Sequence, residues 1–549
     1  MKKTSLFITL ILLSFMGFSQ LRIDKTPRSF AKGQRVEQLQ IMNLPKPDMQ
    51  QIEQEDEENA SLFKPRRFGV NIPVGVDFFS QAKKVTTDDG TIWFLRLEAE
   101  DAEAIAFYSS DFYLPEGGEL YLYNSDKSQV IGAFTSLNNH ESRTFAAELL
   151  MGDNIVIEYY QPSWQSELAS LEVTEICYAY RDMDELPKDA SGSCNVNVNC
   201  PEGNNWRDVQ RSVCRISIKG GSYYYWCSGT LVNNTSQDKS PYVLTAAHCV
   251  EESSSSDYNQ FMFYFNYESS SCTGSTSSTT RTLTGASLKA YDNTYGSGSG
   301  KSDFCLVLLN NAIPQNYNAY WSGWSRSTSA AQSGVGIHHP SGDIKKISTF
   351  TTPAQSVSGS YYSGTTHWKI TWAQTQTNYG ITEGGSSGSA IFNENGLLVG
   401  TLSGGTSACN VSNSQKVDWY GKMSYHWTSN GTADNSRLAP WLDPTNSGVT
   451  ELAGRNYTET NALTSIDETN NPLVLYPNPA EKEVTISLME NGKETLINII
   501  NAQGNTVYTT QIQPNENHKT LNIQHIPAGL YMVEAISEGK LCVKKLIIK

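Results

Sequence analysis

Alternation of apolar and polar residues with a period of two, rather than a helical period, runs through most of this chain. It is plain in "TIWFLRLEAE", "GGELYLYNS" and "DNIVIEYYQP", with the turn signals "LPEGG" and "MGDN" between them, and it predicts a small β-sandwich from about residue 66 to 188. From residue 189 to about 455 many short β segments are separated by Ser/Gly/Asn loops such as "SSSCTGSTSSTT", which suits an all-β double barrel or sandwich. A polar stretch over 456–471 reads as a linker, and "LVLYPNPAEKEVTISL" opens a last β module over 472–549.

Two segments break the pattern. "MKKTSLFITLILLSFMGFSQ" has two lysines, an apolar run from Leu6 to Phe18 and small residues near its end, the layout of a secretory signal peptide over 1–19. That run is shorter than the roughly 20 residues a membrane helix needs, so no membrane-spanning segment is expected. The other, from 20 to about 65, contains "QIEQEDEENA", charged and poor in aromatics, and predicts a loosely ordered arm.

Charge separates the two large regions. Residues 21–188 carry 29 acidic and 16 basic side chains, a net of −13, whereas 189–455 carry 17 and 16, a net of −1. The acidity therefore belongs to the first region, where it reads as a solvated face. Nucleic-acid binding, which needs clustered positive charge, is not supported.

The cysteines sharpen the picture. Eight of the ten, Cys194, Cys200, Cys214, Cys227, Cys249, Cys272, Cys305 and Cys409, fall after residue 188 and before 455, while Cys177 and Cys542 lie outside. In an exported chain this predicts a disulfide framework in one domain; close Cys/His pairs of the metal-binding kind are missing, so neither metal nor cofactor is expected.

Three short blocks in that domain carry candidate chemistry. "PYVLTAAHCV" places His248 at the end of an apolar β run, and "GSGKSDFCLVLLN" places Asp303 where another begins. "ITEGGSSGSA" sets Ser387 between glycines in a tract that composition alone would make a flexible linker. A serine hydroxyl needs a base to take its proton, and the base needs a buried carboxylate to hold its tautomer. Glycine before the serine lets the N–H groups of Gly385 and Ser387 point into one oxyanion site. The three blocks explain one another in the order His, Asp, Ser.

"LTAAHC", "SDFCLVLL" and "GGSSGSA" together resemble the catalytic blocks of chymotrypsin-like serine proteases, whose fold is two six-stranded β-barrels. "SGSCNVNVNCPEG", "RDVQRSV", "CSGTLVNN", "IHHP" and "VDWYGK" narrow the resemblance to the bacterial lysyl endopeptidases over nearly all of 189 to about 450. The resemblance implies His248 as general base, Asp303 as its orienting carboxylate and Ser387 as nucleophile. It further implies the disulfides Cys194–Cys409, Cys200–Cys272 and Cys227–Cys249, with Cys214 and Cys305 either a fourth bridge or buried thiols.

Trypsin-type enzymes carry a pocket aspartate six residues before the nucleophile, where this chain has Ile381. Lysyl endopeptidases carry the charge later, and "QKVDWYGK" matches at Asp418, with Ser403, Gly404 and Gly405 resembling the edge that pairs with the substrate backbone. Some members have histidine where Ser403 stands.

The flanking regions resemble known attachments. Residues 20–188 are similar to the propeptide of these proteases, a folding aid and inhibitor, which puts the processing site between Lys188 and Asp189. A carbohydrate- or protein-binding module is the alternative for the β-rich part. Residues 472–549, with "LYPNPA" and "KLCVKKLIIK", resemble the C-terminal sorting domain of type IX secretion. The expected partners are protein or peptide substrates, the type IX machinery and the chain's own propeptide. The competing function is a non-catalytic surface binding protein on a protease fold.

Overall fold

The structure, a computed structural model, describes residues 25–31, 39–59, 65–181, 191–274, 281–292, 302–359, 362–457, 473–488, 494–501, 506–514, 516–537 and 540–549. The signal segment 1–19 and the processing pair Lys188 and Asp189 lie outside them. By internal contacts the chain divides into two units, Met1–Tyr457 and Thr458–Lys549.

The first unit begins with a two-sheet sandwich. One sheet is built on Gly90–Glu98, Asn154–Pro162, Glu119–Tyr123 and Val130–Phe134; the other on Arg66–Asp77, Ser170–Ala179 and Ala104–Tyr113. The period-two pattern supplies the core between them: Leu95, Leu122 and Ile157 from one sheet meet Ile72, Phe107 and Ile176 from the other.

The segment expected to be a loose arm is ordered where it is described. Ile41–Asn43 pairs in parallel with Arg96–Glu98, and Met49–Asn59 is an α-helix. The helix buries Ile52, and its acidic side chains meet a cation: Arg67 donates to Asp56 Oδ1 at 2.7 Å and Glu55 Oε2 at 3.0 Å. Farther upstream, buried Glu158 accepts from the backbone N–H and the hydroxyl of Ser29. The acidity that suggested solvation in the sequence is used to tie this stretch down.

Two barrels follow. In the first, Met262–Phe265, Val213–Gly220, Tyr223–Val232, Tyr242–Thr245 and Cys305–Leu309 pair in that order. Arg281–Thr284 and Ala286–Tyr291 bend around Gly285, whose φ is +80°, and so close the ring as one strand. In the second, Gly334–His338, Ala390–Asn393, Leu398–Gly405, Val417–Lys422 and Tyr362–Thr371 pair in sequence. Lys346–Phe350 pairs with Gly334–His338 at one end of that order and Gln355–Gly359 with Tyr362–Thr371 at the other. Leu244, Phe304 and Leu306 of the first barrel pack with Val335, Ile337 and Leu398 of the second in one buried cluster.

The sandwich adds itself to the first barrel. Arg66–Asp77 pairs antiparallel with the barrel strand Tyr223–Val232, Val70 opposite Tyr223 and Arg66 opposite Trp226. Phe68 is fully buried and stacks on Trp226 with centroids 4.0 Å apart. Lys219 of the barrel is paired with Glu175 of the sandwich in the same interface.

The second unit is a small sandwich of its own. A sheet of Leu473–Tyr476, Glu483–Leu488 and His518–Asn522 covers one of Thr495–Asn501, Thr506–Ile512, Gly529–Ser537 and Lys540–Ile548, over a core of Val484, Ile486, Ile497 and Val533.

Candidate active site

His248 follows the strand Tyr242–Thr245, and Asp303 precedes Cys305–Leu309; because these strands are paired, their ends bring the two residues together. The His248 imidazole Nδ1 lies 2.8 Å from Asp303 Oδ2, and the His248 backbone N–H donates to Oδ1 at 2.9 Å. Both carboxylate oxygens are thus held on one residue. The aspartate is buried, and its φ of +57° puts a non-glycine residue in the left-handed region. A histidine whose Nδ1 is fixed in this way presents its other ring nitrogen as a proton acceptor.

Ser387 sits in the turn between the strands of the second barrel. Among the serines of "GGSSGSA", Ser386 and Ser389 are fully buried and only Ser387 has a partly open side chain. Ser386 is engaged elsewhere: its Oγ lies 2.9 Å from His338 Nδ1 and accepts from the Glu383 N–H. Gly385 and Gly388 have φ of +92° and +79°, so the tract is a fixed turn rather than a linker. No described residue accepts a hydrogen bond from the N–H of Gly385 or Ser387, which leaves both groups available to a developing oxyanion.

The turn is locked to the histidine segment. A Cβ on Gly388 would come within 2.6 Å of the Ala246 N, two residues before His248. Ser228 joins the two sides: its N–H donates to the Ser387 carbonyl at 2.8 Å, its Oγ donates to the Gly385 carbonyl at 2.9 Å, and Thr245 Oγ1 donates to its carbonyl at 2.8 Å. The neighbouring Cys227 bridges Cys249, which adjoins His248. Cys194 bridges Cys409 and Cys200 bridges Cys272, while Cys214 and Cys305 are buried free thiols. Ser228 was not singled out in the sequence, where "CSGTLVNN" signalled only a family block.

One cleft of about 640 Å³ holds Ser387, Ser403, Gly404, Gly405 and Asp418 on its wall. Asp418 is fully buried. Its Oδ2 accepts from Thr382 Oγ1 at 2.7 Å, from Ser407 Oγ at 2.8 Å and from the Trp372 indole. Burial nevertheless wins over these donors and pushes the carboxyl up to about 6. Gly405 is opposite Asp418 in the strand pairing, and any side chain there would collide with Oδ1. Ser403 is buried, and its hydroxyl lies 3.1 Å from His367 Nε2. Thr382, Ser407 and Trp372 were not anticipated, since their loops are far from Asp418 in sequence.

The sandwich reaches this cleft. Arg66 lines it and donates from Nη1 to Ser341 Oγ at 3.3 Å; that hydroxyl in turn donates to Glu383 Oε2 at 3.0 Å. No group of three or more His, Cys, Asp or Glu able to hold a metal ion occurs among the described residues, and no described helix is long and apolar enough to cross a membrane.

Residues 188–421 match the family model of the lysyl endopeptidase C-terminal domain, and residues 474–549 match that of the secretion system C-terminal sorting domain. A lysyl endopeptidase of Pseudomonas aeruginosa is 30% identical over 308 residues, 52% of this chain and 62% of the relative, so the chain spans under two thirds of that protein's length. Among solved structures, the protease Anisep from Arthrobacter nicotinovorans is 20% identical, covering 39% of this chain and 90% of its own with a TM-score of 0.28. A Glu endopeptidase is 16% identical, covering 42% and 93% with a TM-score of 0.26. Residues 188–421 are thus similar to a lysyl endopeptidase domain and residues 474–549 to a secretion sorting domain, and the chain is a secreted or cell-surface protein.

Proposed function

We propose that the chain is a secreted serine endopeptidase that cleaves peptide bonds after basic residues, lysine preferred. One observation carries this reading: Ser387, the accessible serine of a rigid glycine turn, shares a cleft with the buried carboxylate of Asp418, and its turn is locked to the segment bearing the His248–Asp303 pair. In the proposed cycle His248 takes the Ser387 proton as Oγ attacks the scissile carbonyl, and Asp303 stabilises the imidazolium. The N–H groups of Gly385 and Ser387 receive the oxyanion. The imidazolium then protonates the leaving amine, and water, activated by the same histidine, hydrolyses the acyl-enzyme.

Asp418 is the proposed partner of the substrate's basic side chain, and Ser403–Gly405 the edge that pairs with its backbone. A compact ammonium suits a carboxylate whose oxygens already face three fixed donors, because it needs only a point contact, whereas a guanidinium asks for two parallel acceptors. This supports lysine over arginine.

Residues 20–188 are proposed to be the propeptide, cut between Lys188 and Asp189 by the enzyme itself and inhibitory while attached. The support is the strand pairing of Arg66–Asp77 with the barrel and the reach of Arg66 into the cleft. The type IX machinery is the proposed export partner, through 472–549. Labelling with a fluorophosphonate tests the enzyme reading: mature protein should label, and Ser387→Ala should not. Absence of label on intact mature protein would leave the non-catalytic binding protein as the reading. Mapping cut sites in a denatured protein mixture tests the preference for lysine.

A further inference from the structure

We propose that Trp226 sets a preference on the leaving-group side of the substrate: once residues 20–188 have left, the barrel strand Tyr223–Val232 takes an extended polypeptide as an added strand, and Trp226 receives an aromatic side chain at the fourth residue after the cut. The inference rests on the endopeptidase reading and on release of the sandwich. The chain carries its own template for such a segment. Pro65 and Arg66 line the cleft that holds Ser387. Arg66 passes the glycine turn, its Cβ 3.3 Å from where a side chain on Gly384 would begin. It lies opposite Trp226, which adjoins Cys227, and the residues after it run along the barrel strand until Val70 faces Tyr223. A substrate laid in this register has its first leaving-group residue where Pro65 stands, and Asp418 and Ser403–Gly405 are left for its acyl side.

Phe68, the fourth residue of that segment counted from Pro65, is the one that meets Trp226. The rings stack with centroids 4.0 Å and planes 13° apart, although Arg66 is directly opposite, because a diagonal neighbour two places along is within reach of a large ring. The Trp226 ring is also held by the protease barrels, without the sandwich. Buried Arg215 has its guanidinium carbon 4.0 Å from the ring centroid and donates from Nη1 to the Gly342 carbonyl at 2.7 Å. Gly342, with φ +72°, lets the backbone come close: a side chain there would begin 2.5 Å from Trp226 Cδ1. When the sandwich leaves, Tyr224, Trp226, Met262 and Tyr264 keep the barrel half of an apolar cluster that Phe68, Ala104 and Ala106 cover in the precursor. That surface, beside the freed edge of Tyr223–Trp226, fits an extended segment bearing an aromatic ring.

The experiment measures kcat/KM of the processed enzyme, freed of residues 20–188, on peptides in which one lysine is followed by alanines, with phenylalanine replacing the fourth or the fifth of them. Each value is divided by that on a lysyl p-nitroanilide, which has no residue beyond the cut and so reports the rest of the site. Phenylalanine at the fourth residue should raise this ratio by about tenfold over alanine. At the fifth, which strand alternation turns to the other face, it should raise it by less than about twofold. The gain belongs to acylation, since the segment departs with the amine. Trp226→Leu, which keeps an apolar side chain for folding, should reduce the gain to less than about twofold, and Trp226→Phe should keep most of it. Equal ratios for phenylalanine and alanine at the fourth residue in wild type overturn the proposal without any variant, and so does a preference that survives Trp226→Leu. Cleavage of neither the peptides nor the anilide would instead mean that the endopeptidase reading has failed.

Discussion

The backbone N–H of Ser228 donates to the carbonyl of Ser387 at 2.8 Å, so the first barrel holds the glycine turn of the second by its main chain. The same residue's hydroxyl receives the His339 N–H at 3.0 Å and donates to the Gly385 carbonyl. Ser228→Ala removes both side-chain bonds and leaves a buried amide and a buried carbonyl without them, a loss of about 1–3 kcal/mol. With Gly385 less firmly oriented, kcat on a lysyl ester should drop by about 10- to 100-fold. Steady-state kinetics on the processed variant, with thermal unfolding beside them, check both parts.

Gly388 makes the same junction from the other side. Its φ of +79° and the closeness of the Ala246 N leave no room for a Cβ. Gly388→Ala should therefore strain the backbone and push Ser387 away from the histidine segment, with a stability cost of at least about 2 kcal/mol and little fluorophosphonate labelling. A variant that folds and labels at the wild-type rate would refute the locking role.

Much of this arrangement was legible in the sequence, for definite reasons. His248, Asp303 and Ser387 each stand at the edge of an apolar β run, and a polar residue at a strand end leaves a linear trace. The helix Met49–Asn59 left none, because its acidic face is balanced by Arg67, which reaches it only after the chain turns into the strand Arg66–Asp77. Ser228 and the donors around Asp418 were equally hidden. Ser228, Thr382 and Ser407 act through hydroxyls or backbone groups on partners distant in sequence, and Trp372 through its indole; Ser and Thr are too common in turns and loops to be marked by spacing.

The sandwich interface can be weakened without touching the cleft. Phe68 is fully buried against Trp226, so Phe68→Ala should cost about 3–5 kcal/mol of precursor stability, part of it from the interface. If residues 20–188 inhibit by docking, the chain cut at Lys188 should lose its N-terminal part more readily in this variant and reach full activity sooner. Gel filtration of the cut material, with activity assayed across the peaks, reads this directly. Equal retention in variant and wild type would count against the interface as the inhibitory contact.

The pocket carboxylate gives a pH signature with a definite sign. Burial raises Asp418 from 3.8 to about 6, so between these values the folded chain binds more protons than the unfolded one. Its contribution to stability is therefore fully present below about 3.8 and lost as the pH rises through about 6. Above that, the ionised group costs on the order of 3 kcal/mol, from roughly two units at 1.36 kcal/mol each. Asp418→Asn cannot ionise, so its stability relative to wild type should rise from about pH 4 to pH 7 and then level off, as denaturant unfolding at several pH values would show. Activity should move the opposite way. An ammonium needs the ionised carboxylate, so wild-type kcat/KM on a lysyl substrate should fall as pH drops below about 6 more steeply than on a leucyl substrate. Asp418→Asn should lose most of its preference for lysyl and arginyl over leucyl substrates and lose that extra pH dependence with it. A basic preference that survives the substitution unchanged would place the pocket charge elsewhere.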